Sequence, residues 1–266
     1  MTQQRRSRQG LPWPAVAVAA IGAALFVIPL VALVARAPWS NAWTLASAPQ
    51  VRTALRLSLV CSLTATAISV VLGVPLAWVQ ARLNFPGRSL LRAITTLPVV
   101  LPPVVGGLAL LLAFGRNGVI GRHLFDWFGL RLPFTTPGAI LAETFVSMPF
   151  LVLSMEGAFA GDDQRAEEAA ATLGASRWYI LTRVTLPMLR PALFASAVLC
   201  WARALGEFGA TITFAGNLPG TTQTVPLAVY QAFETNPEAA IILSLLLLVV
   251  SLTILVSLRH RLTARF

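Results

Sequence analysis

Six long apolar runs alternate with short polar stretches along the chain. They cover Ala15 to Ala35, Ala54 to Val79, Ala93 to Phe114, Pro137 to Ala160, Pro191 to Ala215 and Ala239 to Leu258. An α-helix needs about 20 apolar residues to cross the hydrocarbon core of a bilayer. The pattern therefore predicts an all-α, polytopic membrane protein with six transmembrane helices. The first run follows Arg5, Arg6 and Arg8, as a secretory signal does. It is long for one and lacks a clear small-residue cleavage site, so it reads as an uncleaved span. Proline interrupts the runs at Pro29, Pro75, Pro98, Pro102, Pro103 and Pro149. In lipid, backbone groups freed by a proline need partners inside the protein or a wet cavity. The sharpest break is Leu97 to Pro103, followed by Gly106-Gly107, which let helices approach closely. A simple anchor has no need of such a segment, and a packed, pathway-forming role is the reading it favours.

Composition removes the soluble alternatives. Apolar residues are 56% of the chain and charged residues 11%, against roughly a quarter charged in soluble domains. No polar half remains, so one membrane domain over residues 15–258 lies between short tails, 1–14 and 259–266. The net charge of +10 comes from arginine alone. These arginines are dispersed among loops, without the concentrated patch that nucleic-acid binding requires. A chain without lysine also lacks the residue with which a P-loop reaches phosphates, so it is not its own ATPase. Cys61 and Cys200 lie far apart in apolar runs, and His123 and His260 in separate loops. No catalytic, cofactor or metal site is expected.

The arginines orient the chain. Thirteen flank the runs on one side: Arg5, Arg6, Arg8, Arg82, Arg88, Arg92, Arg165, Arg177, Arg183, Arg190, Arg259, Arg261 and Arg265. Six flank the other: Arg36, Arg52, Arg56, Arg116, Arg122 and Arg131. Arginine is enriched on the cytoplasmic side, which places both termini and the stretch from about 162 to 190 inside the cell. In that stretch Asp162 and Asp163 suit a helix start, and Ala166 to Leu173 is strongly helix-forming. Gly174 offers the left-handed position that ends a helix. Ser176 can cap a second short helix running to Leu186, closed by Pro187. Leu173, Trp178, Ile180 and Leu181 supply apolar anchors. Local chemistry leaves two roles equally open: a helix resting on lipid, or a fitting for a partner.

The order Glu168-Ala169-Ala170, three residues, Gly174, nine residues, Val184, one residue, Leu186-Pro187 resembles the EAA motif of permease subunits of bacterial ABC importers. The family most often has Ile where Val184 stands. Within that superfamily the chain is similar to the molybdate permeases. The supporting stretches are Leu101 to Gly106, Phe114 to Gly118, Ala202 to Thr211, Phe214 to Gly220 and Thr222 to Ala228. The resemblance implies a MetI-like fold in the bacterial inner membrane and import of molybdate, with tungstate or sulfate/thiosulfate as alternatives. It implies as partners a second copy of the chain, cytoplasmic ABC ATPase subunits and an extracytoplasmic oxyanion-binding protein. Glu168, Ala169, Ala170, Gly174, Leu186 and Pro187 would then make up the ATPase coupling segment.

Charges inside the runs add one further candidate. Arg203 lies about 18 Å into the fifth run by helical rise, with Glu207 one turn further on the same face. The pair either helps an oxyanion across or fixes helix packing. Packing is favoured, because a conduit must bind weakly enough to release. Glu143 and Glu156, near opposite ends of the fourth run, read as shallow structural carboxylates. Arg116 and Asn117, with the loop from Phe214 to Gln223, are placed by topology to meet a delivering protein. A secondary transporter driven by an ion gradient is the rival of another class, and the EAA-like loop argues against it. A membrane-embedded enzyme finds no HExxH or nucleophile–base pair to support it.

Overall fold

A computed structural model describes residues 13–263, and the described residues are mostly helical with no strand. Most of the expected N-terminal tail and the last three residues lie outside them, with Arg5, Arg6, Arg8 and Arg265. The helices are α1 (Trp13–Ala35), α2 (Ala42–Ala46), α3 (Pro49–Arg82), α4 (Arg88–Val100), α5 (Pro103–Phe114), α6 (Gly121–Phe128) and α7 (Thr136–Gly161). Next come α8 (Arg165–Thr172), α9 (Arg177–Ile180), α10 (Leu186–Met188), α11 (Arg190–Leu205), α12 (Gly209–Ala215), α13 (Val225–Thr235) and α14 (Pro237–Thr263). Four of them, α1, α3, α7 and α14, are long and apolar enough to cross a membrane unaided. Two bent pairs raise the number to six if each counts as one span: α4 with α5, and the segment from Arg177 to Met188 with α11.

The centre of the bundle is α7 packed along α3 and α11. The α3 face turned inward is built from small residues at four-residue spacing, Cys61, Ala65, Ser69, Gly73 and Ala77. Without a hydrophobic drive between helices in lipid, such residues let backbones come close enough for dispersion to hold them. A Cβ on Gly73 would stand 3.0 Å from Leu151 Cδ2, so that site tolerates no larger side chain without a shift. Beside this seam Val74, Leu151, Val152, Met155, Phe159 and Leu181 close one half of the core. Helix α1 has no buried residue and lies at the periphery.

The third expected span, Ala93 to Phe114, is two helices meeting at 120°. Pro102 and Pro103 supply no N–H, and each pushes the residue before it out of the helical region. Leu101 and Pro102 accordingly take ψ of 135° and 130°. The fifth, Pro191 to Ala215, is also broken. Helix α11 ends at Leu205, and α12 starts at Gly209 after a three-residue break. The reason is a close crossing of α5 and α12. A Cβ on Gly107 would lie 2.8 Å from the Ala210 carbonyl oxygen, and one on Gly209 would lie 2.9 Å from Pro103 Cβ. Between the fifth and sixth spans, beyond the expected loop from Phe214 to Gln223, α13 folds back against α14 and α3. Its first amide, on Val225, donates to Ser58 Oγ at 2.7 Å.

Candidate functional site

The corner between α7 and α11 forms as its residues dictate. Asp163 Oδ1 accepts from the Arg165 amide at 3.1 Å and opens α8, while Asp162 ends α7. Gly174 has φ +83°. Its N–H donates to the Ala171 carbonyl, and the Ala175 N–H donates to that of Ala170, at 3.0 and 3.1 Å. These are the paired bonds of a Schellman cap, whose left-handed residue is glycine for want of a Cβ clash. Ser176 Oγ then accepts from the Tyr179 amide at 3.2 Å and starts α9. The second helix does not stop at Leu186. It widens into a π turn over Leu181–Thr185 and continues through Pro187 to Met188. Proline removes one donor and crowds the carbonyl four residues back, and the wider turn absorbs that misfit.

Burial divides the corner into two halves. Glu168, Ala169 and Gly174 are exposed, as are Leu173 at 88% and Trp178 at 66%. Ala170, Leu186 and Pro187 are half-buried. Ile180 and Leu181, expected as anchors for a partner, are buried in the chain itself, because the helix carrying them rolls that face onto the bundle. Glu168 has no ion-pair partner among the described residues.

Its neighbour Glu167 holds the corner in place. The Glu167 Oε1 accepts from Arg82 Nη2 at 3.0 Å and from Thr185 Oγ1 at 2.8 Å. Three segments thus meet on one oxygen: the end of α3, the first turn of α8 and the π turn. The Arg82 and Glu167 side chains are only 9% and 16% exposed, so the pair is weakly screened. A cavity of about 240 Å³ lies beside it, between Trp78, Arg82, Glu168, Arg177 and Ile180. Sequence reasoning passed over Glu167, Arg82 and Thr185. The one available signal was a second carboxylate, adjacent to Glu168, with a basic residue on the preceding cytoplasmic flank.

The intramembrane pair forms where expected. Arg203 Nη2 stands 2.7 Å from Glu207 Oε2. Glu207, 1% exposed, also accepts from the Ala210 amide at 2.8 Å through its other oxygen. The carboxylate therefore holds the arginine and caps α12 together. Arg203 remains 27% exposed and its guanidinium lies 5.9 Å from the Phe150 ring centroid. Glu156 pairs with Arg92 and pins α4 to the end of α7. Glu143 does not reach polar surroundings: it is 1% exposed, and its Oε2 has no hydrogen-bond partner among the described residues. The α7 face that carries it turns into the core rather than toward a surface. Among the described residues no three His, Cys, Asp or Glu side chains gather to hold a metal.

Residues 69–265 match the family described as binding-protein-dependent transport system inner membrane component. A Mycobacterium bovis relative, the molybdenum transport system permease protein ModB, is 49% identical over 233 residues, 87% of this chain and 88% of that one. The sulfate transport system permease protein CysT of Escherichia coli is 37% identical over 246 residues, 91% and 88% of the two chains. A bacterial ABC transporter involved in import of the acidic polysaccharide alginate has a chain that superposes with a TM-score of 0.72. At 20% identity, over 95% of this chain and 96% of that one, this likeness shows the fold.

Proposed function

Since the chain belongs to the family of inner membrane components of binding-protein-dependent transport systems, we propose that it is the permease subunit of an ATP-driven importer carrying molybdate into the cytoplasm. The observation that carries the cargo is the 49% identity to the relative named for molybdenum transport. Sulfate is the second reading, supported by the lower identity to the relative named for sulfate. Tungstate, a tetrahedral dianion like molybdate, is the cargo that resembles molybdate in charge and shape.

A separate ATPase supplies the energy by docking on the exposed half of the corner. Glu168, Ala169 and Gly174 meet it, with Leu173 and Trp178 seated in its groove. Ala170, Leu186 and Pro187 keep the corner's shape from within. Closure of the ATPases pulls this corner as a rigid body. The Arg82–Glu167–Thr185 joint passes the pull to α3, and the π turn passes it to α11. Both termini and this corner are cytoplasmic, in line with the arginine bias.

A second copy completes the pathway. Ala202, Phe208, Val229, Tyr230 and Leu247 line an apolar groove of about 880 Å³ between α11, α13 and α14. Its apolar character suits the close packing of a copy of the same chain. The break from Gly206 to Phe208, with the half-exposed Arg203 beside it, then borders the interface. Because Glu207 compensates its charge, Arg203 forms no strong anion trap there, and the pair fixes helix packing beside the pathway. Selectivity resides in an extracytoplasmic binding protein that meets the exposed tip, Leu218 to Thr221, of the stretch expected as a loop, whose ends at Phe214 and Gln223 are buried.

Reconstitution tests this reading. The chain, its ATPase and the binding protein are placed in vesicles, and ATP-dependent uptake of molybdate, tungstate and sulfate is measured. Molybdate uptake that requires all three components is the expected result. Uptake by the chain alone, driven by a proton or sodium gradient, overturns it.

A further inference from the structure

At the end of the bundle opposite the coupling corner, the chain between α5 and α7 folds around one phenyl ring. The guanidinium carbons of Arg116 and Arg131 each stand 4.8 Å from the Phe125 ring centroid. Two cations are thereby held within about 10 Å of each other. Both are exposed, and neither forms an ion pair among the described residues. Asp126, next along α6, is exposed and pairs with neither. Arg122 is engaged elsewhere, donating from Nε to His123 Nε2 at 3.4 Å.

The same two arginines border a cavity of about 280 Å³ whose other walls are apolar, among them Leu111, Phe114, Leu130 and Phe134. On the same connection between α5 and α7, Val119, Trp127 and Phe128 are 78%, 72% and 67% exposed. Two unpaired cations call for an anion, and the apolar walls limit which anion. A free tetrahedral oxyanion needs hydrogen-bond donors on most sides, and without them its desolvation is costly. An amphiphile meets both demands, with its phosphate on the guanidiniums and its first methylenes in the cavity. Exposed tryptophan and phenylalanine beside arginine are also what settles at headgroup level.

We propose that Arg116, Arg131 and this cavity form a binding site for one anionic phospholipid, in the leaflet opposite the coupling corner. The Phe125 ring holds the two guanidiniums as a pair, and the lipid phosphate bridges them. Topology alone had set Arg116 against the delivering protein, but the apolar cavity and the exposed aromatics favour a lipid. The site requires only that the chain spans the membrane, so it stands or falls independently of the cargo.

Native mass spectrometry of the full chain with its ATPase, extracted from vesicles of 3:1 phosphatidylcholine and phosphatidylglycerol, counts the retained lipid. Wild type is expected to keep one more phosphatidylglycerol per chain than Arg116→Gln/Arg131→Gln, with retention weakened about tenfold or more in that variant. Arg116→Lys/Arg131→Lys, which keeps the charges, is expected to retain the lipid at an intermediate level. Equal retention by wild type and the Gln variant overturns the proposal. A second arm measures docking of the extracytoplasmic binding protein in pure phosphatidylcholine nanodiscs. If the Gln variant weakens docking there while its lipid count matches wild type, the arginines serve a protein partner and the proposal fails.

Discussion

Arg82–Glu167 and Arg203–Glu207 are built from the same two side-chain types, at 3.0 and 2.7 Å, yet they differ in reach. The first joins residues 85 apart in sequence, and so makes a tertiary joint between α3 and α8. The second is a local i,i+4 pair whose carboxylate also caps the next helix. Remove the first and two elements come apart, each still folded. Remove the second and a helix start and a buried charge lose their partner together. One chemistry thus makes a long-range joint in one place and a local cap in the other.

The largest effect is expected at the local pair. Glu207→Leu leaves Arg203 without its counter-charge and the α12 amide without its acceptor. Loss of one partner of a buried pair costs roughly 3–5 kcal/mol, and the partial exposure of Arg203 puts this case at the lower end. Thermal unfolding of the purified complex should show a clear fall in Tm. The double variant Arg203→Leu/Glu207→Leu removes both charges and should recover most of that stability. Transport then sharpens the comparison. A stable double variant that still imports molybdate makes the pair architectural; one that is stable but inactive gives Arg203 a part in moving the anion.

How far these differences could be read from the chain depends on range. Helices α1, α3, α7 and α14 were legible because each has an apolar run long enough to betray a span. The break at Gly206 to Phe208 was not, because the run from Pro191 to Ala215 stays largely apolar across it. What forces the break is a crossing with α5, a hundred residues earlier, that needs glycine at both 107 and 209. Helix α13, at 11 residues, is too short to look like a span. The Gly174 corner was legible in detail because glycine, serine and alanine act there through bonds to near neighbours. Glu167 and Glu168 look alike in sequence; only folding gives one of them Arg82 and leaves the other exposed.

The tertiary joint should respond less in stability and more in coupling. Glu167→Gln keeps a hydrogen-bonding side chain for Thr185 but leaves the Arg82 charge, 9% exposed, without a carboxylate. Roughly 1–3 kcal/mol of local stability is at stake, spread over a corner that stays folded. The expected outcome is several-fold more ATP hydrolysed per molybdate imported, with the bundle intact. Arg82→Glu/Glu167→Arg restores an ion pair in reverse and should recover part of the coupling. If Glu167→Gln leaves the ratio at the wild-type value, force reaches the spans by the π turn alone, and the joint is only a brace.

The smallest effect on the fold, and the cleanest separation of shape from contact, lies at Gly174. No atom stands within 4 Å of where its Cβ would be, so a larger side chain meets open space. Its φ of +83° is the sole obstacle, worth about 1–2 kcal/mol for a residue with a Cβ. Gly174→Val should therefore bend the corner without disturbing the bundle, leaving Tm near wild type while uncoupling hydrolysis from uptake. Gly174→Asn tolerates the left-handed region better than valine and should keep most coupled transport despite its added bulk. If both variants fail equally, the exposed surface at 174 is itself a contact for the ATPase. If only valine fails, glycine is there for the turn, and Glu168 and Ala169 carry the docking.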